Sequence, residues 1–216
     1  MENRLSLAGG TMEQSKIDLK IKKWGGLASF LLAVSFFVPG SIYLVGNLQT
    51  AIGPIAYNLA DFLYGPVWSA CLITVIFVLR EQLSEYAPRR MSLALLAAFL
   101  AAGAMVAVAL IRSSNRQYHI MHPELNLENS ITVLVVWATL VTGVTSVGWH
   151  FLGWVQILIG SAGWTSRQLP RPLNLLYFAG GVVSLFVYLF PGNEGLAMLL
   201  GMIISIWQGI LLWNAK

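Results

Sequence analysis

Side chains able to do chemistry are scarce in this sequence, and the most telling is His150, the single histidine inside a long apolar stretch. Along residues 131–164, Thr139, Gly143, Ser146, His150, Gly153 and Gly160 recur at steps of four, three, four, three and seven, with Gln156 beside them. At about 100° per residue these positions form one slowly drifting stripe of small and polar groups on a helix. Leu140, Val144, Phe151, Val155 and Leu158 fall on the opposite side. Lipid gains nothing from polar side chains, so the stripe is expected to face a bundle interior. An imidazole there either binds a ligand or, as a neutral group, holds two helices together. Asp61 is read as the only acidic residue near the depth of an apolar run. The candidate ligand cavity therefore comprises His150, Gln156, Asp61, Trp149 and Ser146.

A second set lies in the segment Arg112–Asn129, which reads RSSNRQYHIMHPELNLEN and is expected to be a loop. Imidazole and carboxylate together suit zinc, copper or iron, which makes His119, His122 and Glu124 the candidate metal ligands. Pro123 opposes a regular helix here, and no HExxH or ExxH framework is present, so a solvated loop with incidental histidines is the simpler reading. A b-type haem would pair His150 with His119 or His122 as axial ligands. No cofactor is expected; metal or haem is the outlying alternative. Asp61 and Arg112 should stand at one depth and pair within about 8 Å, roughly one Debye length.

The elements that must position these groups follow from composition. Of 216 residues, 57% are apolar or aromatic and 10% are charged, against about 25% charged in soluble domains. Thirteen basic and nine acidic side chains cannot coat so much apolar mass with a wettable surface, so the lipid bilayer is the principal partner. A crossing helix needs about 20 mostly apolar residues. Six segments qualify: Gly25–Val45, Leu59–Leu79, Met91–Ile111, Ile131–Trp164, Leu173–Phe190 and Gly195–Trp213. With the N-terminus inside, all 13 Lys and Arg except Arg112 and Arg116 fall on the cytoplasmic side, which is the bias that sets orientation. The fold expected is an all-α six-helix membrane bundle with both termini cytoplasmic, in the cell (inner or plasma) membrane. Residues 1–24 form a basic N-terminal segment and 25–216 the membrane domain.

Several details refine this layout. Ile17, Ile21 and Trp24 share a face among Lys16, Lys20, Lys22 and Lys23, a pattern suited to a short helix on an anionic leaflet or to a basic tail. The first apolar run exceeds a signal-peptide core and lacks a small-x-small cleavage site after it, so it is expected to remain. Pro39-Gly40 should kink the first span; Gly65-Pro66 should kink the second or separate a short interfacial piece. The fourth span would be about 51 Å long and must tilt, kink or project. Gly201, Ser205 and Gly209 form a small-xxx-small face for helix packing, within the chain or in a homo-oligomer or a complex with another membrane protein. Two inner turns echo one another, Pro88-Arg89 and Pro170-Arg171. Cys71, the only cysteine, excludes an intrachain disulfide or CxxC pair.

The absences are also informative. There is no Walker A, GxSxG or HExxH motif, no paired intramembrane acids, and no basic stripe that would suit a nucleic-acid partner. The run Gly160-Ser161-Ala162-Gly163-Trp164, then Ser166-Arg167-Gln168-Leu169-Pro170-Arg171 and a Leu/Gly-rich fifth span, resembles an uncharacterised bacterial family of six-helix membrane proteins, known as a domain of unknown function. The similarity covers mainly residues 140–215 and the span layout; Asn174 stands where the family pattern has glycine. The resemblance implies an architecture and no activity. Three functional readings follow: a non-enzymatic accessory, scaffold or small binding protein; a small transporter or ligand-binding protein with an outward cavity around His150; and a metal or haem site.

Overall fold

A computed structural model describes the backbone of residues 3–48, 53–122, 131–190 and 192–215, with side chains from residue 19 onward except 46–48. The described residues are mostly helical, with no strand among them. The helices are α1 (Asn3–Leu48), α2 (Pro54–Phe62), α3 (Trp68–Leu83), α4 (Pro88–Met121), α5 (Ile131–Ser166), α6 (Arg171–Leu185) and α7 (Asn193–Trp213). A π-helical turn, Leu63–Val67, joins α2 to α3. Pro66 sits in that turn, where its missing N–H is absorbed by a local widening of the helix. The stretch Pro54–Leu83 is therefore one interrupted helix. Likewise, α1 continues through Pro39, and the backbone of 3–24 is continuous with the first apolar run.

Five helical stretches are long and apolar enough to cross a membrane: Leu19–Val45, Pro54–Leu83, Pro88–Met121, Ile131–Ser166 and Asn193–Trp213. This is the build of a membrane protein. The sixth expected segment differs. Instead of Leu173–Phe190, α6 is a 15-residue helix ending at Leu185, about 22 Å long. Past Leu185 the amides of Phe186 and Val187 bond only three residues back, to Val183 and Ser184, and the chain turns to Gly192 at φ 97°. Weak helix formers at Val182, Val183, Phe186 and Val187 oppose propagation there.

Each helix packs on its neighbour in sequence, and α7 packs on α1, so the segments close into a ring. Small residues allow the closest approaches. A side chain on Gly153 of α5 would meet the Gly181 carbonyl and Leu185 of α6 at 2.8 Å. The face Gly201–Ser205–Gly209 lies against α1: the Phe36 ring covers Gly201 and the Phe30 ring covers Gly209. Its packing partner is thus within the chain, and this face is not open to a second protomer. At the ring's centre Trp68 and Trp149 are wholly buried. Phe36 lies between them, edge-on to Trp68 at 6.0 Å and stacked on Trp149 at 6.2 Å.

Arg89 and Arg116 lie at opposite ends of α4. At the first end, Arg90 donates to the Ser161 carbonyl at 3.2 Å and to Thr165 Oγ1 at 2.7 Å, tying α4 to α5. Asn174 braces the next turn. It is buried, and its Nδ2 donates to the Leu169 carbonyl at 3.2 Å, bracing the turn between α5 and α6 against Gly163.

Candidate functional site

The Arg116 end of the bundle concentrates the charge. The segment expected as a loop begins as helix, since α4 runs on to Met121. This carries Arg112 and Arg116, one turn apart on one face, toward α2. Asp61, 2% exposed, ends up beneath them. One carboxylate oxygen accepts the Tyr43 hydroxyl at 2.5 Å and faces Arg112 at 3.8 Å; the other is bound by the Arg116 guanidinium. The Asp61–Arg112 approach read from depth is present, and Arg116 is the tighter partner. Asn58 Oδ1 accepts from Arg116 Nε at 3.0 Å, fixing the fork. The guanidiniums of Arg112 and Arg116 lie over the rings of Tyr43 and Tyr57, at 5.3 and 5.8 Å. An aspartate so nearly dehydrated would be costly alone; paired and fully hydrogen-bonded, it clamps α1, α2 and α4 together.

Across the same end stands Glu194, in the first turn of α7, where the helix dipole favours an acid. It accepts the indole N–H of buried Trp149 at 3.1 Å. Asp61 is therefore not alone at its depth. Two cavities meet here. One, of about 350 Å3, is lined by Pro39, Tyr43, Tyr64, Arg112, Glu194 and Met198, among others. The other, of about 210 Å3, is lined by Arg112, Glu194, Thr145, Ser146 and Tyr188, among others. Arg112 and Glu194 belong to both and form no ion pair with each other. The Tyr64 hydroxyl is buried on the first cavity beside the Trp149 indole, with no acceptor for its hydrogen among the described residues.

The five residues expected to share one cavity are separated. Asp61 is enclosed in the arginine cluster, and Trp149 is committed to Glu194. Gln156 lies deeper, facing Ser184 Oγ at 3.4 Å and a cavity of only about 30 Å3. Ser146 and His150 line an open groove of about 900 Å3 with Thr139, Thr142, Gly143 and Tyr188. The polar stripe on α5 is thus divided. Gly153, Gln156 and Gly160 are buried, as expected, whereas Thr139 and Gly143 are exposed and Ser146 and His150 half-exposed. The cause is the short α6, which ends before it can cover the upper part of α5. His150 accepts a hydrogen bond from Trp154 Nε1 at 3.3 Å, one turn away on its own helix. Val155, assigned to the opposite face, is buried as well.

His119 lines a separate cleft with Asn115, Arg116 and Trp137, and the His122 ring packs at 4.6 Å from that of Tyr118. Glu124 lies outside the described residues. Among the described residues no three His, Cys, Asp or Glu side chains are grouped to hold a metal.

Tyr43, Asn58, Tyr64, Arg116 and Glu194 escape a reading of the sequence. Arg116, four residues from Arg112, and Asn58, three residues from Asp61 on α2, carry a local signal. The others come together only through the ring closure. Fold and site together define a helical membrane protein with a charged, cavity-bearing end. Comparisons with family models, curated proteins and solved structures give no match.

Proposed function

We propose that the chain is a non-enzymatic binding protein of the cell membrane, crossing the bilayer six times with both termini in the cytoplasm and the Arg116 end outside. In this topology α6 and the turns after it form the fifth crossing, and the distribution of Lys and Arg supports the orientation. Resemblance to a six-helix family supports the same span count. The observation that carries the binding role is the junction of two cavities on Arg112 and Glu194. Cation and carboxylate stand there unpaired with each other while the neighbouring Asp61 is saturated. Ionisable groups within a membrane bundle are costly unless they are used.

Native mass spectrometry of the full chain released from detergent tests this reading. The expected result is a bound small molecule or lipid in near-stoichiometric amount, reduced in Arg112→Gln. Bare protein under gentle release would overturn it. A second reading, accessory rather than ligand-binding, rests on the exposed groove at His150, where Thr139, Gly143 and Ser146 would admit a helix of another membrane protein. Co-purification of a partner lost on Gly143→Leu, with no small molecule bound, would favour it.

A further inference from the structure

We propose that the cavity bounded by Tyr64, Arg112 and Glu194 binds a zwitterion bearing a primary ammonium and an oxyanion a few bonds apart, the chemistry of an ethanolamine phosphate. The assignment rests on the binding-protein reading above and adds the ligand's chemistry.

Charge counting carries the first step. Asp61 offers one negative charge to two guanidiniums. Arg116 takes one oxygen directly and Tyr43 takes the other, which leaves Arg112 at 3.8 Å as the surplus cation. Glu194 has the converse excess: its one hydrogen-bond donor among the described residues is the neutral Trp149 indole. The two groups face a common space of about 350 Å3, within the range of about 300–1,000 Å3 usual for small-ligand sites. A simple anion there would be drawn by Arg112 and repelled by Glu194, and a simple cation the reverse. A molecule with both charges satisfies each without leaving either unpaired.

The second step is hydrogen bonding. The Tyr64 hydroxyl is 4% exposed, on the wall of this cavity beside the Trp149 indole, and its hydrogen has no acceptor among the described residues. A buried O–H with nowhere to donate is costly, and an oxyanion seated on Arg112 would accept its hydrogen. Pro39 and Met198 supply apolar wall for the methylenes between the two charged groups. Arg112 and Glu194 also line the second cavity, so a ligand bridging them would border both spaces.

Such a zwitterion has two sources: the headgroup of phosphatidylethanolamine in the surrounding leaflet, or the free molecule. The purified full chain is placed in nanodiscs of phosphatidylethanolamine, phosphatidylcholine or phosphatidylglycerol, and retained lipid is counted by native mass spectrometry. In parallel, soluble O-phosphoethanolamine is titrated calorimetrically in phosphatidylcholine nanodiscs. Retention of phosphatidylethanolamine over both other lipids assigns the headgroup; binding of the soluble compound assigns the free ligand. In either case Arg112→Gln and Glu194→Gln should each weaken binding by on the order of tenfold to a hundredfold. Glu194→Gln keeps an acceptor for Trp149 and should melt within a few degrees of wild type. Neither probe binding the folded wild-type protein, or binding unchanged in Glu194→Gln, overturns the assignment. A co-purified ligand lacking the two charges overturns it while leaving the binding-protein reading intact.

Discussion

Polarity is handled differently at two depths of this bundle. At the Arg116 end the groups are ionised: Asp61, Arg112 and Arg116, with Glu194 across the cavities. Deeper in the ring they are neutral. Gln156 accepts from Ser184, and Gln208 accepts from Tyr177, each at 3.4 Å, around a space the size of one or two waters. Both arginines are about one-fifth exposed, so water shares the cost of their charge, whereas Gln208 is almost completely enclosed. The difference teaches where energy is concentrated. Charges near the rim form short, geometrically demanding bonds that fail badly when one partner is removed. Amides in the interior form long ones that add little beyond filling space.

The largest break in this contrast should come from Asp61→Asn. It leaves two guanidiniums without a counter-charge and is expected to cost about 3–5 kcal/mol, read as a large drop in melting temperature in mild detergent. A loss below 1 kcal/mol would mean that the cluster is solvated and not structural. Arg116→Gln comes next, at about 2–3 kcal/mol, because it empties a direct bond to buried Asp61. Arg112→Gln, acting across 3.8 Å, should cost only about 1 kcal/mol. Equal effects of the two would contradict the asymmetry that frees Arg112 for a ligand. Smallest of all should be the interior pair. Replacing both members in Gln208→Leu with Tyr177→Phe removes the bond and also the unpartnered Gln208 Nε2, and stability should change by no more than about 0.5 kcal/mol. A loss comparable to that of Asp61→Asn would show the interior to be as demanding as the rim.

The same contrast explains what could be read from the sequence. Apolar runs fix where helices form, and all six expected segments are helical over most of their lengths. Depth along those helices brings Asp61 and Arg112 to one level, as observed. The direction of a face is harder. On a soluble helix, polar residues point to water, but on α5 lipid-facing and core-facing surfaces are both apolar, so polarity cannot orient it. Size is a better signal over the later half of α5: Gly148, Gly153, Gly160 and Gly163 are buried there, while Gly143, before it, is exposed. Placing His150 inward requires a neighbour along the whole of α5, and α6 stops too soon to be that neighbour. Tyr43 and Glu194 reach the site through α1 meeting α2 and α7 meeting α1, contacts that no local pattern encodes.

The most direct test of the account is which face of the membrane carries the Arg116 end. In a Cys71→Ser background, single cysteines replace Gln117, near the end of α4, and Glu85, in the turn before it. Intact cells are then exposed to a membrane-impermeant maleimide. The account predicts labelling of Gln117→Cys in intact cells and of Glu85→Cys only after permeabilisation. The reverse order, or equal labelling of both, would contradict it.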